Sequence, residues 1–125
     1  MSVVEEFERG DVDAAAFGHR AHVRVAWHYL DAMPLLEALP RCCAALERLA
    51  IRHDAAAKYN ATLSVAFMLL IRDRMRTGES WEAFESREHA FLADGLGSVR
   101  AYYGQDQLDG AEARRAFQLP RADVS

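Results

Sequence analysis

Residues 56–76 read AAKYNATLSVAFMLLIRDRMR, and the fold is decided there. No residue from Tyr59 to Ile71 carries a charge, and from Ala61 onward the run is apolar almost all round. A helix with no polar face needs neighbours on several sides, so the segment predicts a central helix over about residues 56–76. At about 1.5 Å per residue the uncharged run reaches roughly 20 Å, short of the ~30 Å core of a bilayer. It therefore reads as a buried core helix rather than a membrane span. Arg72, Arg74 and Arg76 complement the negative end of the helix dipole and are expected to form a solvated rim, with Gly78 closing the element.

Upstream, His22, Val25, Ala26, Tyr29, Leu30 and Met33 make one apolar stripe, predicting a helix over residues 18–33. Pro34 ends that helix and suits the first turn of the next, which is expected to reach His53. Pro40 should kink or divide it, because a proline inside a helix removes a hydrogen bond. Leu39, Cys42, Cys43, Leu46, Leu49 and Ala50 supply its apolar face. A short acidic helix is expected over residues 3–9, stopped by Gly10, with Asp11 or Asp13 available to cap the second helix. Downstream, Ser80 reads as an N-cap for residues 81–86, and a turn or two after Gly95 and Gly97 carries Val99, Tyr102 and Tyr103. Asp109 is placed to cap a last helix through Phe117, and the tail from about residue 118 is expected to fray. No strand-like alternation interrupts this pattern. The expectation is an all-α, single-domain bundle spanning residues 1–125, with about four to five main helices around the central one.

The 125 residues are 51% hydrophobic and 27% charged, enough to bury a core and too apolar for a disordered chain. A formal charge of −4 offers no basic surplus to release counterions from a polyanion, so nucleic acid is not an expected partner. The acidic start lacks the basic-then-apolar order of a signal peptide. Cys42 and Cys43 are neighbours in a helical pattern, about 100° apart, and cannot bridge each other. Together these point to a soluble protein of a reducing cytoplasm, with no membrane partner. A homodimer is compatible with a small bundle, though no patch marks one.

His19 and His22 are three apart and in line with Ala26 and Tyr29, so both imidazoles face inward. Inward imidazoles are costly unless hydrogen-bonded, metal-bound or in a wet pocket. The bland account is that each bonds a carbonyl or carboxylate and merely packs; the functional one makes them a general acid/base pair. Tyr59 and Asn60 start the central helix, where Asn60, Ser64, Phe67 and Ile71 share one line. Such polar groups either orient a ligand at a pocket mouth or cap the first turn. Trp27 and Tyr29 are further candidates for ligand contact, against the commoner fate of packing in the core. A metal needs three or four ligands, and two histidines on one helix do not supply them, so no metal is expected. His28 falls on a different face and is expected to be exposed. The remaining candidates are Asp73, Glu88 with His89, and His53-Asp54, a dipeptide similar to that of HD-domain phosphohydrolases but preceded by Arg52 and followed by alanines. No nucleophile triad or glycine-rich phosphate loop is present, and Gly95 and Gly97 lack the strand that a dinucleotide fingerprint requires, so no cofactor is expected.

The chain resembles a family of small, uncharacterised bacterial helical proteins. The likeness lies in Phe17-x-His19-x-x-His22-Val23-x-x-Ala26-Trp27-x-Tyr29-Leu30 and in Lys58-Tyr59-x-x-Thr62, then in Tyr102-Tyr103 and residues 111–117. It implies helical architecture and a common pocket. The family's second motif has Tyr-His-Glu-Thr where this chain has Tyr59-Asn60-Ala61-Thr62. An amide can orient a carbonyl or water but takes no proton near neutral pH.

The functional expectation is a small-molecule-processing enzyme, of a kind found in bacterial specialised metabolism, performing cyclisation, isomerisation or elimination in an apolar pocket. His19 and His22 act as acid and base, and Tyr59, Asn60, Tyr29 and Trp27 contact the substrate. The alternatives are a ligand-binding protein without catalysis and, third, a metal-dependent hydrolase.

Overall fold

The computed structural model describes residues 2–10, 12–13 and 17–121. Among them the chain is all-α, with nine α-helices and one 3₁₀ turn. In order these are α1 (Val3–Arg9), α2 (His19–Ala32), α3 (Leu35–Arg52), the 3₁₀ turn (Ala56–Lys58), α4 (Ala61–Arg74), α5 (Trp81–Arg87), α6 (His89–Ala93), α7 (Gly95–Arg100), α8 (Gln105–Asp109) and α9 (Ala111–Arg115). The second half is built of more and shorter helices than the apolar period suggested. No helix among the described residues is long and apolar enough to cross a membrane.

Helix α4 is central: it packs against α2, α3, α7 and α9. It begins at Ala61 rather than at residue 56, because the Asn60 side chain accepts from the Leu63 N–H at 3.0 Å and caps the first turn. The alanines before it form the separate 3₁₀ turn. Asp54, in a left-handed conformation with φ 56°, redirects the chain out of α3 toward that turn. Gly10 stops α1 at φ 81°, where a side chain would be strained. Gly18, not an aspartate, occupies the N-cap position of α2, and Asp11 lies outside the described residues.

Pro40 does not divide α3, which runs unbroken from Leu35 to Arg52. The carbonyl that proline leaves without a donor belongs to Leu36, an exposed residue whose backbone water can serve. Arg74 is not part of a solvated rim. It pairs with Glu88 at 3.1 Å, and its guanidinium lies 4.3 Å from the centre of the Phe91 ring. Arg72 and Arg76 are exposed. His28 is half-buried, 5.0 Å ring to ring from Trp27, and burial lowers its pKa.

The chain beyond α9 is held rather than frayed as far as Arg121. Tyr103 donates to the Gln118 carbonyl at 2.6 Å, Gln107 Nε2 to the Leu119 carbonyl at 3.0 Å, and the Arg121 N–H to Gln107 Oε1 at 3.2 Å. Thr62, fully buried on α4, donates to the Ala116 carbonyl and accepts from the Gln118 N–H. These bonds fasten the C-terminal helices over the start of α4.

Candidate functional site

A cavity of about 760 Å³ opens between α2, α3, α4 and the joint of α6 with α7. Its walls are mainly apolar, from Leu46 and Leu49 of α3 to Leu63, Phe67, Met68 and Ile71 of α4. The size and lining are those of a small-molecule site. The 3.6-residue period puts Asn60, Ser64, Phe67 and Ile71 on its α4 wall, while His19, His22 and Ala26 form the α2 wall. His19, His22, Tyr59 and Asn60 are thus brought together. Trp27 and Tyr29 are not. Trp27 packs edge-on against Trp81 at 5.9 Å and beside Phe84, its buried indole N–H without a hydrogen-bond partner among the described residues. Tyr29 is fully buried and donates to Glu8 Oε2, an oxygen also bonded by Arg41. Both belong to the core: Trp27 is on another face of α2, and Tyr29, on the same stripe as His22 and Ala26, lies farther along the helix, beyond the cavity.

The two histidines differ. The Gly95 N–H donates to His19 Nε2 at 3.2 Å, and the Phe91 carbonyl lies 3.4 Å from the same nitrogen. Gly95 and Phe91 are four residues apart, and would bond each other if α6 and α7 were one helix. His19 is inserted where that ladder breaks. The neutral ring with its proton on Nδ1 accepts from Gly95 through Nε2. A Cβ on Gly95 would stand 2.3 Å from Phe67 Cζ and 2.6 Å from His19 Cε1, so glycine lets the joint close against both rings.

His22 has no such engagement. Its ring lies 4.4 Å from that of Phe17, tilted by 35°, and no hydrogen-bond partner for its nitrogens exists among the described residues. Protein atoms crowd the ring, yet the residue is exposed to solvent through the cavity that it lines. Burial, reinforced by the neighbouring His19, holds its pKa down at about 4. Near neutral pH it is an uncharged imidazole.

Asn60 lines the cavity, but its amide is engaged at both ends. Oδ1 caps Leu63, and Nδ2 donates to the Leu108 carbonyl at 2.7 Å. Both ends of the Asn60 amide, expected to orient a substrate, are thus used within the chain, and these bonds fix α4 to α8. Burial pushes the Tyr59 phenol up to about 12, so it stays protonated as a donor, close to Ser64 and Cys43. Burial also raises the pKa of both cysteines, leaving them as thiols.

Sequence reasoning missed Gly95, Lys58 and Phe67 as site residues. Lys58 lines the rim with His53, the C-cap residue of α3. Glu88 is committed to Arg74 and Arg87, and His89 is exposed. Among the described residues, no three His, Cys, Asp or Glu side chains are grouped so as to hold a metal ion. Comparison of the chain with protein-family models, curated proteins and solved structures finds no match.

Proposed function

We propose that the cavity takes a small, largely apolar molecule and that His22 accepts a proton from it, as the base of an isomerisation, cyclisation or elimination. One observation carries this reading: an uncharged imidazole, without a hydrogen-bond partner among the described residues, facing an apolar cavity. A base must be unprotonated and within reach of the proton it removes. At pKa about 4, His22 is unprotonated throughout the neutral range. It is a weak base, so its substrate must have a proton acidified by a neighbouring carbonyl or leaving group. Tyr59 is suited to donate a hydrogen bond to such a group. His19 serves as a positioning residue, holding the α6–α7 joint through Gly95.

The test uses 5-nitrobenzisoxazole, which opens to a coloured cyanophenolate when a base removes its ring proton and the N–O bond breaks. Saturable ring opening by the wild type is expected, with a rate that rises through about pH 4 as His22 loses its proton. His22→Asn should retain the fold and lose roughly 10²–10⁴ of the rate. Absence of saturable acceleration, or an equally fast His22→Asn protein, overturns the base role.

A second reading, binding without turnover, is favoured because no carboxylate is hydrogen-bonded to His22 among the described residues. Asp94 is the only carboxylate in the described lining, and its Oδ1 accepts from the Gly97 N–H to cap α7. Competitive binding of the probe without ring opening supports this reading over the first.

A further inference from the structure

The cavity's charges are unevenly placed. Lys58 is the chain's only lysine, at the end of the 3₁₀ turn, exposed and facing the rim. Among the described residues it has no ion-pair partner, whereas Arg20, Arg41, Arg74, Arg87 and Arg115 each pair with a glutamate. His53 stands on the same rim, at the C-cap of α3. Among the described lining residues the one carboxylate, Asp94, belongs to the α6–α7 joint and is tied to Gly97. Between rim and joint the wall is apolar, through Leu46, Leu49, Leu63, Met68 and Ile71. A ligand complementary to this layout has an apolar body and one anionic end.

We infer that the cavity's ligand is an amphipathic carboxylic acid, its carboxylate held by Lys58 at the rim and its apolar body lying along α4 toward His22. This rests on the reading of the cavity as a small-molecule site. The ammonium is a compact point charge on a flexible stem, suited to one carboxylate at a wet rim. An uncharged ligand of the same shape gains the burial and forgoes the ion pair. A cationic one brings its charge against Lys58.

Calorimetric titration with decanoate, decan-1-ol and decylammonium, each below its aggregation concentration, tests the inference. Decanoate is expected to bind about tenfold more tightly than decan-1-ol, the worth of one charge-assisted hydrogen bond, with decylammonium the weakest. Lys58→Met should remove the preference for decanoate and leave decan-1-ol affinity unchanged, and Lys58→Arg should restore the preference. Lys58 is exposed, with no ion-pair partner among the described residues, so an unchanged Tm is expected for both variants. Equal affinity of decanoate and decan-1-ol in the wild type, or a preference that survives Lys58→Met, overturns the carboxylate assignment while the cavity still binds an apolar chain. If none of the three ligands binds, the small-molecule reading of the cavity fails with it.

Discussion

His22 and Asn60 stand on adjoining helices of one cavity, each a polar side chain in a mainly apolar wall. The Asn60 amide reaches Leu63 on one side and Leu108 on the other. Two residues on, the Thr62 hydroxyl does the same for Ala116 and Gln118. Among the described residues, the His22 imidazole lies near the Phe17 ring, has no hydrogen-bond partner and faces the open cavity. A buried polar group with its partners in place contributes to stability, while one left facing a void lowers stability unless a ligand or water completes it. The contrast separates a latch from a site. His19 lies between the two cases, since it lines the cavity yet uses one nitrogen to bridge a broken helix.

The largest effect is expected where the latch is cut. Asn60→Ala removes a cap, worth about 1 kcal/mol, and strands the Leu108 carbonyl, worth about 1–3 kcal/mol more. A fall in Tm on the order of 10 °C should follow in thermal denaturation, with ring opening of the benzisoxazole probe unchanged per folded molecule. Loss of that activity without loss of stability would break the comparison by putting Asn60 on the side of the site.

A smaller loss is expected at the joint. Gly95→Ala drives a methyl group into Phe67 and His19, an overpacking cost of about 1–3 kcal/mol, partly offset by the better helix propensity of alanine. Denaturant titration should show lower stability, and probe turnover should fall with it as the His19 ring is displaced. A stabilised Gly95→Ala protein would mean that His19 does not hold the joint in place.

The smallest effect is a pH slope. The folded pKa of His22 lies at about 4, below the usual 6.5, so between these values the unfolded chain binds more protons. Its contribution is therefore complete above pH 6.5 and is lost as pH falls toward 4. The wild-type Tm should decline over that window more steeply than that of His22→Asn. The difference will be modest, because the ring is accessible to the cavity's solvent. Equal slopes would place the His22 ring in bulk water.

The sequence carried the helical architecture because apolar spacing, caps and glycine stops are local. The α2 stripe, the Ser80 cap, the Gly10 stop and the apolar middle of α4 all depend on residues within a turn or two of each other. That His19 and His22 share one face of α2 was legible for the same reason: a period of 3.6 residues assigns a face without reference to the rest of the chain. Tertiary structure decided what those faces meet. That Asn60 is consumed by Leu108, that Gly95 admits the His19 ring, and that Lys58 reaches the same cavity are consequences of contacts spanning 48, 76 and comparable separations in the chain. Hydrogen-bond satisfaction is a property of such distant pairs, so an amide and an imidazole that look alike in sequence end in opposite roles. One closes the bundle, and the other faces the space the bundle leaves open.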